Sequence, residues 1–137
     1  HIITSGNAPQ PTTTDTAVGH FGVVTVTGND TAGTITIKVD IDGDGNPNKS
    51  TPVDLNGDGI PDVLPPLTAG ELSKIAFDKP YAEGSVPRIV MSPSNGNAAQ
   101  IGAYVDSATT TNTYFDVNSL QPLQDGKTYT FNYLVVQ

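Results

Sequence analysis

Residues 40–62, DIDGDGNPNKSTPVDLNGDGIPD, constrain this chain more than any other stretch, because they carry one acidic pattern twice. Asp40, Asp42, Asp44 and Asn48 stand at relative positions 1, 3, 5 and 9 of the first copy. Asp54, Asn56, Asp58 and Asp62 stand at the same positions of the second, which starts 14 residues after the first. Gly45 and Gly59 both fall at position 6, where a sharp turn needs a residue that tolerates positive φ. Asp, Asn and Gly are also ordinary turn formers, so a solvated acidic bend is the bland alternative. Two copies with the glycine in place weigh against it. Six carboxylates within 23 residues repel one another unless a cation sits among them, so the segment is expected to be ordered with the cation and mobile without it.

The spacing suits a hard cation. Calcium takes about six to eight oxygens at about 2.3–2.6 Å, from carboxylates, amides, backbone carbonyls and water. Alternate side chains at positions 1, 3 and 5 converge when the chain wraps around an ion. The position-7 residue, Asn46 or Ile60, then offers its carbonyl, and position 9 closes the ring directly or through water. The expected metal set is therefore Asp40, Asp42, Asp44, Asn46 and Asn48 in one loop and Asp54, Asn56, Asp58, Ile60 and Asp62 in the other, holding one or two Ca2+ ions. The first copy is the weaker on paper, because Asn48 stands where the second has an acid and Pro47 stiffens the exit.

Neither copy is an EF-hand. That loop ends in a bidentate Glu at position 12, and here those positions hold Thr51 and Pro65 with no helical pattern on either side. The second copy, DLNGDGIPD, instead resembles the calcium loops between strands of integrin-type β-propeller repeats and of thrombospondin type 3 repeats. The resemblance points to calcium and to no particular fold.

The net charge of −8 is largely local: without the six loop acids, eight acids face six bases. No basic patch exists to neutralise phosphates, so nucleic acid is not an expected partner. No run of about 18 apolar residues occurs, so no membrane-spanning helix is expected. There is no Cys, hence no disulfide or thiolate metal site. Weak calcium loops, with dissociation constants on the order of 10⁻⁴–10⁻³ M, suit extracellular calcium levels. The opening at His1 reads as that of a piece of a longer chain.

The rest of the chain reads as short strands. Residues 1–18, rich in Thr and Pro, suggest an extended arm or linker, and 19–137 a single domain in which 40–66 is an insertion. Residues 19–27 and 33–39 read as a hairpin, with Ile35, Ile37 and Val39 on one face. Residues 71–77 are expected as a strand, with a short helix as the other option. Strands are also expected at 86–92, 101–105 and 114–117, with one helical turn at 97–100. Asp125-Gly126 signals a turn before the longest strand, 127–136, whose Tyr129, Phe131, Tyr133 and Val135 share a face. The sum is an all-β, antiparallel, jelly-roll-like β-sandwich of about seven or eight strands carrying a calcium-loop insertion.

Several stretches in order, VTGNDTAGTI (26–35), IAFDKPY (75–81), PRIVMSP (87–93), AAQIGAYV (98–105) and TYTFNY (128–133), resemble a domain common at the C-terminus of tailed-phage fibre, tail and head-decoration proteins. TSGNAP (4–9) also fits. The resemblance implies a small β-sandwich on the virion surface, often trimeric, contacting other virion proteins and acting in host attachment or capsid decoration. It departs at 40–66, where such domains usually have a short loop. Catalysis is not expected. The only histidines are His1 and His20, and no nucleophile, base and orienting group can be assembled around them. The expected function is thus a non-enzymatic virion module stabilised by calcium. The alternative is a bacterial extracellular carbohydrate-binding or adhesin module that meets host-surface glycans.

Overall fold

A computed structural model describes residues 6–46 and 52–137. Among the described residues eight strands are present: β1 (Gln10–Pro11), β2 (Val23–Gly28), β3 (Ala32–Lys38), β4 (Gly70–Ala76), β5 (Arg88–Pro93), β6 (Ala103–Val105), β7 (Tyr114–Ser119) and β8 (Thr128–Val136). Two single-turn helices, α1 (Asp15–Val18) and α2 (Gly96–Ala99), complete the described elements. The strands form two antiparallel four-stranded sheets, ordered β1-β4-β7-β6 and β2-β3-β8-β5, as a β-sandwich requires.

Period-two patterning explains which faces meet. Ile35 and Ile37 on β3 face inward, and Val39 follows them into the core. Tyr129, Phe131, Tyr133 and Val135 on β8 do the same, while Asn132, Leu134 and Val136 face outward. Against them the other sheet brings Leu72 and Ile75 from β4 and Phe115 and Val117 from β7. Each such side chain, fully buried, contributes about 1.5–3 kcal/mol of apolar transfer. The buried tyrosines keep their hydroxyls satisfied: Tyr133 donates to the Asn29 carbonyl at 2.6 Å, and Tyr129 accepts the Gln124 N–H at 3.0 Å.

The residues expected as an arm are built into the sandwich from Pro9 onward. β1 pairs with β4, the Thr12 N–H donates to the Lys74 carbonyl at 2.8 Å, and Val18 is fully buried. A β-bulge between Glu71 and Ser73 turns Leu72 and Ser73 both inward, and the Ser73 hydroxyl donates to the Thr12 carbonyl at 2.6 Å. Ala17 and Val18 are the apolar residues that make this possible, and they were hidden in a Thr- and Pro-rich stretch. The first hairpin strand also starts later than residue 19, because Gly19 to Gly22 form a turn closed by the Gly22 N–H on the Gly19 carbonyl at 3.0 Å. Residues 71–77, open to either reading, are strand β4 through Ala76.

The acidic segment lies in the connection that leaves β3 in one sheet and enters β4 in the other. Asn48 and Thr51, along with Thr4 and Ser5, fall outside the described residues.

Candidate metal centre

The two acidic stretches adopt the same local structure. At position 1, Asp40 accepts the Gly43 N–H and Asp54 the Gly57 N–H, both at 2.8 Å. At position 3, Asp42 accepts the Asp44 N–H at 3.2 Å and Asn56 the Asp58 N–H at 3.1 Å. At position 5, Asp44 accepts the Asn46 N–H and Asp58 the Ile60 N–H, both at 2.8 Å. Glycines take left-handed φ at positions 4 and 6 of each copy: +85° and +68° at Gly43 and Gly45, +78° and +83° at Gly57 and Gly59. This is the backbone logic of a wrapped loop, in which the side chains at positions 1, 3 and 5 are pinned by the chain just ahead of them. A carboxylate oxygen has further lone-pair capacity, so these bonds orient the groups without exhausting them.

In the first loop the carboxylates converge. Asp40, Asp42 and Asp44 each present one oxygen, and these oxygens lie within 4.8 Å of one another. Two oxygens bound to one calcium cannot lie more than about 5 Å apart, so the trio meets the geometric condition for a shared ion. Among the described residues it is the acidic group drawn together this closely, although its sequence looked the poorer of the two. Asp42 is 7% exposed, a buried charge in a crowd of like charges.

Backbone contacts fix the loop to the sandwich. The Asp40 N–H donates to the Val18 carbonyl at 3.2 Å, and the Asp40 carbonyl accepts the Phe21 N–H at 3.0 Å. From the turn between β7 and β8, Asp125 accepts the Ile41 N–H on Oδ1 at 2.9 Å. Its Oδ2 is enclosed and has no hydrogen-bond partner among the described residues. Burial pushes the Asp125 carboxyl above its usual range, against the pull of the Ile41 N–H, and the negative charges of Asp42, Asp40 and Asp44 push the same way. The sequence marked Asp125 only as a turn residue. Its link to the acidic loop spans 84 positions, and no local pattern could announce it.

The second loop is closed at its base by an isolated β-bridge between Val53 and Asp62, with the Asp62 N–H donating to the Val53 carbonyl at 2.9 Å. The Asp62 side chain returns to accept the Leu55 N–H at 2.9 Å. The Gly59 N–H, 2.7 Å from Asp54 Oδ2, holds the Asp54 carboxyl below its usual range, with smaller help from other loop amides. Ile41 and Leu55, the position-2 residues of the two loops, both line one apolar groove of about 220 Å³ beside α1. His20 and Asp15, 3.3 Å apart and both exposed, border the same groove.

Comparison with known proteins returned no matching family model, no matching characterised protein and no matching solved structure. No helix among the described residues is long and apolar enough to cross a membrane.

Proposed function

We propose that this protein is a non-catalytic display module, part of a virion fibre or capsid decoration, whose β3–β4 connection is braced by calcium. The observation that carries the metal half of this reading is the repeated hydrogen-bond register of the two loops, with the converging oxygens of Asp40, Asp42 and Asp44. Bringing these carboxylates together costs Coulomb energy that a divalent ion turns into attraction. Calcium then acts as a structural ligand, because it binds the folded loops and not the unfolded chain.

The display half rests on the order of stretches resembling phage fibre and decoration domains, now seen to lie on a β-sandwich. An aliphatic strip on the outer face of β5 and β8 supports self-association into a homo-oligomer, a trimer in such domains. Val90 is 56% exposed and stands opposite Leu134, and Val136 beside them is 42% exposed. Contacts of this kind exclude water when copies meet. The setting is the virion surface or another extracellular location, where calcium is plentiful.

Sedimentation across a concentration series, with calcium and with chelator, tests the reading as a whole. A discrete oligomer in calcium is expected. A strict monomer at high concentration, with identical melting in both buffers, rejects it.

A further inference from the structure

We infer that β2 is a pairing edge, on which the β2 strand of a second copy of this chain adds antiparallel and joins two sandwiches through one continuous sheet. The inference stands apart from the calcium reading, and it uses a different surface from the aliphatic strip on β5 and β8.

Each sheet ends in two edge strands, and an edge left open invites another strand. Three of the four carry protection. β1 is two residues long and contains Pro11. β6 is three residues long. β5 begins at Arg88 and ends at Pro93, with Pro87 just before it. β2 has none of these devices, since its six residues, VVTVTG, include no proline and no charge.

The ladder shows which backbone groups of β2 are free. The Asn29 N–H donates to the Ala32 carbonyl at 3.0 Å, and the pairing of β2 with β3 alternates from that point. Thr27, Thr25 and Val23 therefore turn their N–H and C=O groups toward β3, while Val24, Val26 and Gly28 turn theirs to the open side. Those outward groups have no hydrogen-bond partner among the described residues.

The free groups recur at every second residue on either side of Val26, which makes the edge complementary to itself. A two-fold axis at Val26 sets the two Val26 residues against each other and Val24 against Gly28, with about six backbone hydrogen bonds. The side chains agree with this register. On the inner face the bare Gly28 leaves room for Val24. On the outer face exposed Thr25 meets exposed Thr27, an uncharged pair able to hydrogen-bond. This self-complementarity favours a second copy over a foreign strand.

Hydrogen exchange at the Val24, Val26 and Gly28 amides, followed with sedimentation across a protein concentration series, tests the inference. Exchange is expected to slow by about tenfold or more as copies pair. Thr25→Lys combined with Thr27→Lys puts like charges opposite one another across the axis, and should abolish both the pairing and the slowing. Mixing that variant with one carrying Thr25→Glu and Thr27→Glu should restore both. Exchange that is slow at every concentration, or fast at every concentration, overturns the inference. An oligomer that survives the lysines with these amides still exchanging fast overturns the edge pairing alone and leaves the strip on β5 and β8 as the contact. A strict monomer in every sample overturns both.

Discussion

Gly19 lies directly against the backbone of Asp40: a Cβ on Gly19 would sit 2.3 Å from the Asp40 carbonyl oxygen. The glycine also holds φ at +87°, where L side chains are strained. Two independent penalties therefore guard the contact that seats the first acidic loop on the sandwich. Gly19→Ala should cost about 2–4 kcal/mol, from overpacking plus backbone strain. It should also weaken calcium binding, because Asp40 must move. Denaturant unfolding and a calcium titration on the same variant check both halves.

Calcium itself should stabilise the fold. A ligand at a hundredfold excess over its dissociation constant adds about 2.7 kcal/mol, which for a domain of this size raises the melting temperature by roughly 10 °C. Asp58→Ala should reproduce much of the effect of chelator, because Asp58 stands at position 5 of the second loop and its side chain accepts the Ile60 N–H at 2.8 Å. Scanning calorimetry with and without chelator reads both.

Gly59→Ala tests the wrapped-loop geometry while leaving every expected metal-binding side chain in the sequence. The φ of Gly59 is +83°, and an added Cβ would meet nothing within 4 Å. The penalty of Gly59→Ala is then purely conformational, about 1–2 kcal/mol. Gly59→Asn should cost less, because Asn tolerates the left-handed region better. Equal losses for both would mean that the loop does not hold this turn in solution.

Tyr133 predicts the alkaline limit of the fold. Burial, with smaller contributions from the Asp30 charge and Tyr81, pushes its phenol up to about 12. An unfolded tyrosine ionises near 10. Between these values the unfolded chain has released a proton that the folded protein retains, so stability is full below about pH 10 and falls as pH rises toward 12. Tyr133→Phe should flatten that slope and cost about 1 kcal/mol at neutral pH through loss of the 2.6 Å bond to Asn29. Unfolding measured at a series of alkaline pH values distinguishes the two proteins.

The sandwich was legible wherever one face alternates cleanly. β3 and β8 announce themselves through Ile35, Ile37 and the aromatic stripe from Tyr129 to Tyr133, and both stripes are core. The one-turn helix at 97–100 was legible as well, and its cap is Asn95, whose side chain accepts the Ala98 N–H at 2.8 Å. The incorporation of residues 9–18 was not legible. It depends on β1 pairing with a strand more than 60 positions away and on a bulge that turns Ser73 inward. The repeated turns of the two acidic stretches were legible because their spacing is local. Asp125 was not, because only the meeting of the β3 exit with the β7–β8 turn gives it a role. The ranking of the two loops also shifted: composition favours the second, while proximity of carboxylates favours the first.

The central claim is that calcium sits in the tandem loops, and anomalous diffraction from crystals grown in millimolar calcium addresses it most directly. The account predicts an anomalous peak among the carboxylates of Asp40, Asp42 and Asp44, with a second inside the loop from Asp54 to Asp62. Ordered loops with water alone at both centres would contradict it.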